Sequence, residues 1–222
     1  MTRINVIDSA YSAEAGIIVD LIQCSDITIA AAAIRKCTDS MDKLDSIHGV
    51  LGDDDRRLIK DCVKKGHESV FEHIIYTFDI HNISRALLQE ISRHRIASPS
   101  VQSTRWALKK ILNKIRNGGN VEDEIRKHLK TVNPTIDAAN IKQVKFILEQ
   151  KDMSNDVLKY AIPEAFLTTE LFTINARSLW NLFNLRLSKR ALKEFRDLSN
   201  IMLQLVYKQH PVLFESFNNA TV

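Results

Sequence analysis

The sequence is poor in the features that announce the commonest chemistries. It has three cysteines, Cys24, Cys37 and Cys62, with neither disulfide-framework nor paired zinc-ligand spacing. That argues against a stapled secreted scaffold and a cysteine-based zinc module, and a reducing, cytoplasmic setting is the simplest reading. No uninterrupted apolar stretch is long enough to span a bilayer. The start, Met1-Thr2-Arg3-Ile4-Asn5, lacks the apolar run of a signal peptide. Neither G-x-G-x-x-G nor G-x-x-x-x-G-K occurs, so any dinucleotide would be held by side chains rather than by a glycine-rich turn. There are no internal repeats and no low-complexity tract. A net charge of +4 is too mild to suggest a nucleic-acid coat but permits anionic substrates.

What is present is ordinary for a soluble protein: 222 residues, 45% hydrophobic and 26% charged. That is enough for one substantial core, and a single domain over residues 1–222 is expected. Ile4 to Ile7 is a short candidate strand, and residues 27–36 an alanine-rich helix. Asp53 to Asp55 open a helix with Leu58, Ile59, Cys62 and Val63 at helical spacing, capped by Asp53 and ended by Gly66. Ile74, Tyr76, Phe78 and Ile80 alternate with Ile75, Thr77, Asp79 and His81 and read as a strand. Ile83, Ala86, Leu87 and Ile91 mark a helix leading on from it. Asn117-Gly118-Gly119-Asn120 is a loop. Residues 121–152 read as one or two amphipathic helices broken near Asn133-Pro134, and residues 117–155 as a peripheral helical insertion. A further amphipathic helix spans 190–209. Few strands and several long helices predict an α+β fold.

The most informative run is Arg93-His94-Arg95, which continues through Pro99 to Val101, Gln102, Ser103, Thr104 and Arg105. Three adjacent cations resist desolvation and need an anion or water. Arginines offer fork-shaped donors for phosphate, and serine, threonine and glutamine can complete the cage. Basic residues ending a helix, where they suit the macrodipole, are the alternative. The helix from Asn175 carries an apolar stripe of Ala176, Leu179, Trp180, Phe183 and Leu187. Beside it, Arg177, Asn181 and Asn184 form a polar strip, which needs partners, water or a ligand. A hydrogen-bond network would satisfy it equally. His67, Glu68, Glu72 and His73 invite a metal reading, but the zinc-protease helix needs histidines four apart and position 71 is Phe71, so no metal is expected. Ser103 has no evident base and oxyanion site to make it a nucleophile.

Three separated segments carry a resemblance. Arg93 to Ser103 is the arginine-histidine-arginine, seven residues, serine motif of the flavin-dependent thymidylate synthases, and Arg105 also matches. Gly66 to His73 resembles the upstream flavin segment of that family, and Ile174 to Arg186 its downstream one. The resemblance implies a mixed β-sheet covered by helices, FAD as a tightly bound cofactor, and a homotetramer with active sites between subunits. It implies reductive methylation of dUMP to dTMP, with methylenetetrahydrofolate giving the carbon, NADPH-reduced FAD the hydride, and no enzyme nucleophile. The dUMP site would comprise Glu90, Arg93, Val101, Gln102, Ser103, Thr104, Arg105, Lys159 and Arg186. The catalytic Arg186 would favour the ionised pyrimidine. The flavin site would comprise His67, Ser69, Arg93, His94, Arg95, Val101, Asn175, Arg177 and Asn181. No nucleic-acid or membrane partner is implied. The sequence departs from the common pattern at Glu90, Ser100-Val101, Lys159, Arg190, Leu192 and Cys37. A flavoprotein without turnover, or a basic RNA-binding module, are the rival readings.

Overall fold

A computed structural model describes residues 4–150 and 152–218. The start Met1-Thr2-Arg3 and residue 151 of the expected helical run 121–152 lie outside the described residues. The elements in chain order are β1 (Asp8–Ser12), β2 (Ile17–Cys24), α1 (Thr28–Cys37), α2 (Asp53–Lys65), β3 (Ile75–Ser84), α3 (Arg85–Ile91), β4 (Ala97–Val101), α4 (Thr104–Arg116), α5 (Val121–Arg126), α6 (Pro134–Glu149), α7 (Asn155–Leu158), β5 (Leu167–Asn175), α8 (Ala176–Arg186), α9 (Lys193–Gln209) and α10 (Pro211–Asn218). This is the α+β class expected. Among the described residues no helix is long and apolar enough to cross a membrane.

The strands form one five-stranded sheet in the order β1-β2-β3-β5-β4. β1 and β2 pair antiparallel from Asp8↔Leu21 to Ser12↔Ile17, across a turn in which Gly16 takes φ +67°, a conformation that glycine adopts without a steric penalty. Ser25 N–H donates to Ile75 O, and Thr77 Oγ1 to Gln23 Oε1, so β3 runs against β2. Thr77 Oγ1 meets Thr173 Oγ1, and Thr169 Oγ1 donates to Ile80 O, so β5 runs against β3. The expected mixed sheet is therefore corrected: every pairing that these bonds orient is antiparallel. The physical reason is that the connections carrying α1 and α2 leave and re-enter the sheet at one end.

The first strand also needs correction. Residues 4–6 are not in a strand, and pairing begins at Asp8. Ile4, Val6 and Ile7 are exposed, so the short apolar run that suggested a strand is not a buried face. The β3 expectation holds, with Ile74, Tyr76, Phe78 and Ile80 fully buried. Ile83 closes this strand rather than opening the following helix, which starts after Ser84 caps it by accepting from Leu87 N–H. α2 ends as expected at Gly66, φ +72°. Its start differs: Gly52 holds the cap position, and the Asp45 carboxylate takes the N–H groups of Asp54 and Asp55.

Two compact units divide the chain. The first comprises residues through Asp79, His94–Pro99, and the chain from Leu171 onward. There α9 packs on β1, α10 on α9 and α2, and α8 on α9. Phe71, Trp180, Phe183 and Phe214 make edge-to-face contacts at its centre. Such pairs are worth about 0.5–1.5 kcal/mol beyond the area they bury. The second unit comprises Ile80–Arg93 and Ser100–Glu170. Its core joins Leu108 and Ile111 of α4, Ile125 of α5, Val144 and Ile147 of α6, Leu158 of α7 and Phe166. The break near Asn133-Pro134 is real, because Asn133 caps α6 by accepting from Thr135 N–H.

One buried titratable cluster in the first unit has a measurable consequence. The Tyr76 hydroxyl hydrogen-bonds with His210 Nδ1 at 2.7 Å, and Cys24 Sγ lies 3.7 Å from His210 Nε2. Burial pushes the His210 imidazole down to about 4, against a weaker opposing pull from Asp26. Between that value and the ordinary histidine range the unfolded chain binds a proton that the folded chain refuses, so stability falls as pH drops through this window. The loss approaches on the order of 2–3 kcal/mol near pH 4. Urea melts of the wild type and His210→Asn at pH 7 and 4.5 should show a smaller acid loss in the variant. An equal loss in both would assign the effect elsewhere.

Candidate active site

The segment after the cation triplet is placed by the sheet and by α4. β4 ends at Val101, Gln102 N–H donates to Thr169 O of β5 at 2.9 Å, and Ser103 is the cap residue of α4. Among the described residues no side chain caps this helix, so the N–H groups of Thr104 and Arg105 and the positive end of its dipole remain available to an anion. Around that helix start lies a cavity of about 340 Å³, lined by Arg85, Leu88, Val101, Gln102, Ser103, Thr104, Arg105, Asp156, Lys159 and Thr168. Every one of these residues belongs to the second unit. Six are residues the sequence assigned to nucleotide binding: Val101, Gln102, Ser103, Thr104, Arg105 and Lys159.

The other expected dUMP residues do not line this cavity. Arg93 is exposed and pairs with Glu90 at 3.4 Å. Arg186 belongs to the first unit. Four lining residues escaped the sequence reading: Arg85, Leu88, Asp156 and Thr168. Arg85 Nε is buried with no hydrogen-bond partner among the described residues, a donor whose desolvation a ligand could offset. Asp156 holds Arg105 in an ion pair at 3.1 Å. Two residues along β5 from Thr168, Glu170 is 1% exposed. Burial pushes its carboxyl up to about 7, and neither oxygen has a hydrogen-bond partner among the described residues. None of the four had a cue in the sequence; they become neighbours of the motif only on folding.

In the first unit the triplet histidine is singled out. His94 is buried, whereas Arg93 and Arg95 are exposed. Arg186 Nε–H donates to His94 Nε2 at 2.9 Å, which makes that nitrogen the acceptor and puts the proton of a neutral ring on Nδ1. The Arg186 guanidinium lies 4.6 Å above the Phe195 ring, and His94 meets Phe195 edge-on at 5.4 Å. Arg186 is the last residue of α8, and its head folds back over an aromatic ring.

α8 presents the flavin-segment residues in two ways. Asn175 is buried, and its side-chain oxygen caps the helix by accepting from Ser178 N–H at 2.8 Å. Arg177, Asn181 and Asn184 line an exposed strip, while Ala176, Leu179, Trp180 and Phe183 are buried as the apolar stripe predicts. Arg177 pairs with Glu72 at 2.5 Å and Glu68 at 3.5 Å. These partners raise the guanidinium further above its ordinary range. His67 and Ser69 are exposed beside this pair in sequence. Cys24 and Cys62 are not activated: burial pushes the Cys24 thiol up to about 11 and raises that of Cys62.

Comparison with known proteins agrees with this constellation. The family described as Thymidylate synthase complementing protein (Thy1) matches residues 20–212. The flavin-dependent thymidylate synthase of Campylobacter jejuni strain RM1221 is 39% identical over 201 residues, covering 89% of this chain and 95% of that protein. That of Wolinella succinogenes is 40% identical over 200 residues, covering 88% and 96%. A crystal structure of the Helicobacter pylori enzyme complexed with FAD and dUMP has a TM-score of 0.78 at 34% identity, covering 89% of this chain and 98% of that one. With the helix-start cavity, the arginine-histidine-arginine run and these matches in agreement, the chain belongs to the flavin-dependent thymidylate synthase family.

Proposed function

We propose that this chain converts dUMP to dTMP by reductive methylation, with the second-unit cavity holding the nucleotide. The observation that carries the reading is the convergence of Arg85, Arg105, Lys159, Gln102, Ser103 and Thr104 on the uncapped start of α4. That set suits a phosphate joined to a polar base: cations and helix N–H groups for the anion, hydroxyl and amide groups for ribose and ring. Relatives solved with FAD and dUMP support the same ligand. Arg93, Glu90 and Arg186 complete the expected nucleotide set by resemblance.

The residues present also fit a flavin. His67, Ser69, Arg93, Arg95, Arg177 and Asn181 are exposed hydrogen-bonding side chains, the donor types a diphosphate and an isoalloxazine ring require. His94 and Asn175 are buried and already engaged, so their part is to set the positions of Arg186 and α8. Val101, the remaining expected contact, offers only an apolar side chain. Bound FAD, reduced by NADPH, would supply the hydride, and methylenetetrahydrofolate the carbon. The chain's contribution is to bind, orient and polarise. Arg186 would stabilise negative charge on the pyrimidine, and Ser103 would donate a hydrogen bond. High thiol pKa values at Cys24 and Cys62 support a reaction without a cysteine nucleophile. In this reading the chain works as one domain over residues 1–222, with 117–155 a peripheral helical insertion. Assembly as a homotetramer with sites between subunits, and a cytoplasmic location consistent with free cysteines, belong to this reading.

The deciding experiment is dTMP formation by purified protein given dUMP, methylenetetrahydrofolate, NADPH and FAD. A folded protein that retains FAD but forms no dTMP would favour the flavoprotein without turnover. Lys159 gives a sharper check on the cavity. Removing a charge-assisted phosphate contact costs about 1.5–3 kcal/mol, so Lys159→Ala should weaken dUMP binding roughly ten- to hundredfold and leave deoxyuridine binding unchanged. Lys159→Arg should bind dUMP normally. Equal weakening toward both ligands in calorimetric titrations would remove the phosphate from this position.

A further inference from the structure

Beside the nucleotide cavity, within the same unit, is a second concavity that the reaction as described does not use. It is open, about 360 Å³ in volume, and lined by Arg105, Trp106, Lys109, Asn155 and Asp156. α4 supplies the first three residues and α7 the last two, so two elements line it and it is not one charged helix face. Its volume falls within the range of small-molecule sites. The Arg105–Asp156 ion pair, closed at 3.1 Å, lines both cavities.

Trp106 is 61% exposed, an unusual position for the side chain with the largest apolar surface to bury. Lys109 Nζ lies 5.2 Å from the centre of its ring, which gives the indole a fixed cation on its face. The neighbouring Arg105 adds a second cation, while Asp156 and Asn155 can accept from an amino or amide group. A snorkelling lysine over a surface tryptophan explains the contact between the two. It does not explain why the pair borders a concavity that Arg105, Asn155 and Asp156 also line.

We propose that this second cavity is a co-substrate subsite for a planar aromatic ring carrying a nearby anionic group. The ring stacks on Trp106, and the anion pairs with Lys109 and Arg105. Two co-substrates of the proposed reaction share that chemistry: the benzoylglutamate half of a folate and the phosphoadenosine half of a nicotinamide dinucleotide. The assignment rests on that reading of the reaction for its ligands, but on Trp106, Lys109 and the cavity for its place.

The test is calorimetric titration of the full chain with 4-aminobenzoyl-L-glutamate and with adenosine 2′,5′-bisphosphate. At least one probe should bind, and which one identifies the source. Trp106→Ala and Lys109→Ala should each weaken that probe by roughly five- to tenfold, the scale of a lost stacking or cation–ring contact. Trp106→Phe should keep most of the affinity, and dUMP affinity should change by less than about twofold across the three variants. Because Lys109 is exposed, its variant keeps the test valid should Trp106→Ala fold poorly. Absence of binding by both probes, or unchanged affinity in Lys109→Ala, overturns the subsite. Failure of dUMP to bind the wild type while a probe still binds would instead defeat the proposed reaction and leave the cavity assigned.

Discussion

Arg186→Ala should lower turnover with dUMP by roughly 10²–10³-fold, about 2.7–4 kcal/mol of transition-state stabilisation, while leaving the fold and FAD content intact. The expectation comes from how the guanidinium is held. It lies over the Phe195 ring at 4.6 Å, and its Nε–H donates to His94 at 2.9 Å, so the head is held in place. A cation restrained in this way does not have to reorganise when negative charge develops on a pyrimidine, and such preorganisation is where a charged group gains its catalytic effect. Arg186→Lys keeps the charge but loses the planar, forked donor group, so it should recover little of the rate. The split to look for is a drop in kcat with the Kd for dUMP changed only modestly. Wild-type turnover by Arg186→Ala would reduce this residue to a packing role against Phe195. His94→Ala tests the support: it should also slow turnover, because the imidazole no longer fixes Nε.

Much of this site was legible in the sequence because its residues are contiguous. Val101 to Arg105 come together through one strand end and one helix start, so short-range pattern was sufficient. The alternating apolar residues of β3 and the Gly66 stop were readable for the same local reason. The helix α8 was visible as a stripe, and the strip of Arg177, Asn181 and Asn184 beside it is exposed. Features that depend on distant chain segments were not legible. β5 hides its alternation because its buried face includes Thr168 and Glu170 beside Phe172 and Ile174, polar residues that look like surface in a linear reading. α4 was missed because lysine and arginine outnumber its buried residues Ala107, Leu108 and Ile111. Arg85 and Asp156 are separated in sequence from the motif and meet it only through tertiary packing. His94 and Arg186 were both identified, but nothing in the sequence indicated that one donates a hydrogen bond to the other.

Asp55→Ala should destabilise the protein by about 3–5 kcal/mol, the cost of leaving one partner of a buried ion pair alone. Asp55 is fully buried within the first turn of α2. Its carboxylate accepts from Arg35 Nε at 2.7 Å, Ser46 Oγ at 2.7 Å, and the Ser46 and Asp45 N–H groups at 3.1 Å each. Burial alone would raise this carboxyl, but the Ser46 hydroxyl, Arg35 and the Asp45 N–H outweigh it and hold the group below its ordinary range. The stability it contributes is therefore present above the usual carboxylate range and is lost as pH falls through the lowered value. Removing the carboxylate leaves the Arg35 side chain, only 10% exposed, without its acceptor, and removes the bonds from the Asp45 and Ser46 N–H groups and the Ser46 hydroxyl that help tie this segment to the helix. Asp55→Asn should be milder, since an amide oxygen can still accept from Ser46 but no longer balances the guanidinium. Double-mutant cycles with Arg35→Met would separate the pair from the rest: the double variant should be more stable than Asp55→Ala alone, because no buried charge is left behind. If Asp55→Ala melts within about 1 kcal/mol of the wild type, the network is solvated and its contribution to the fold is small.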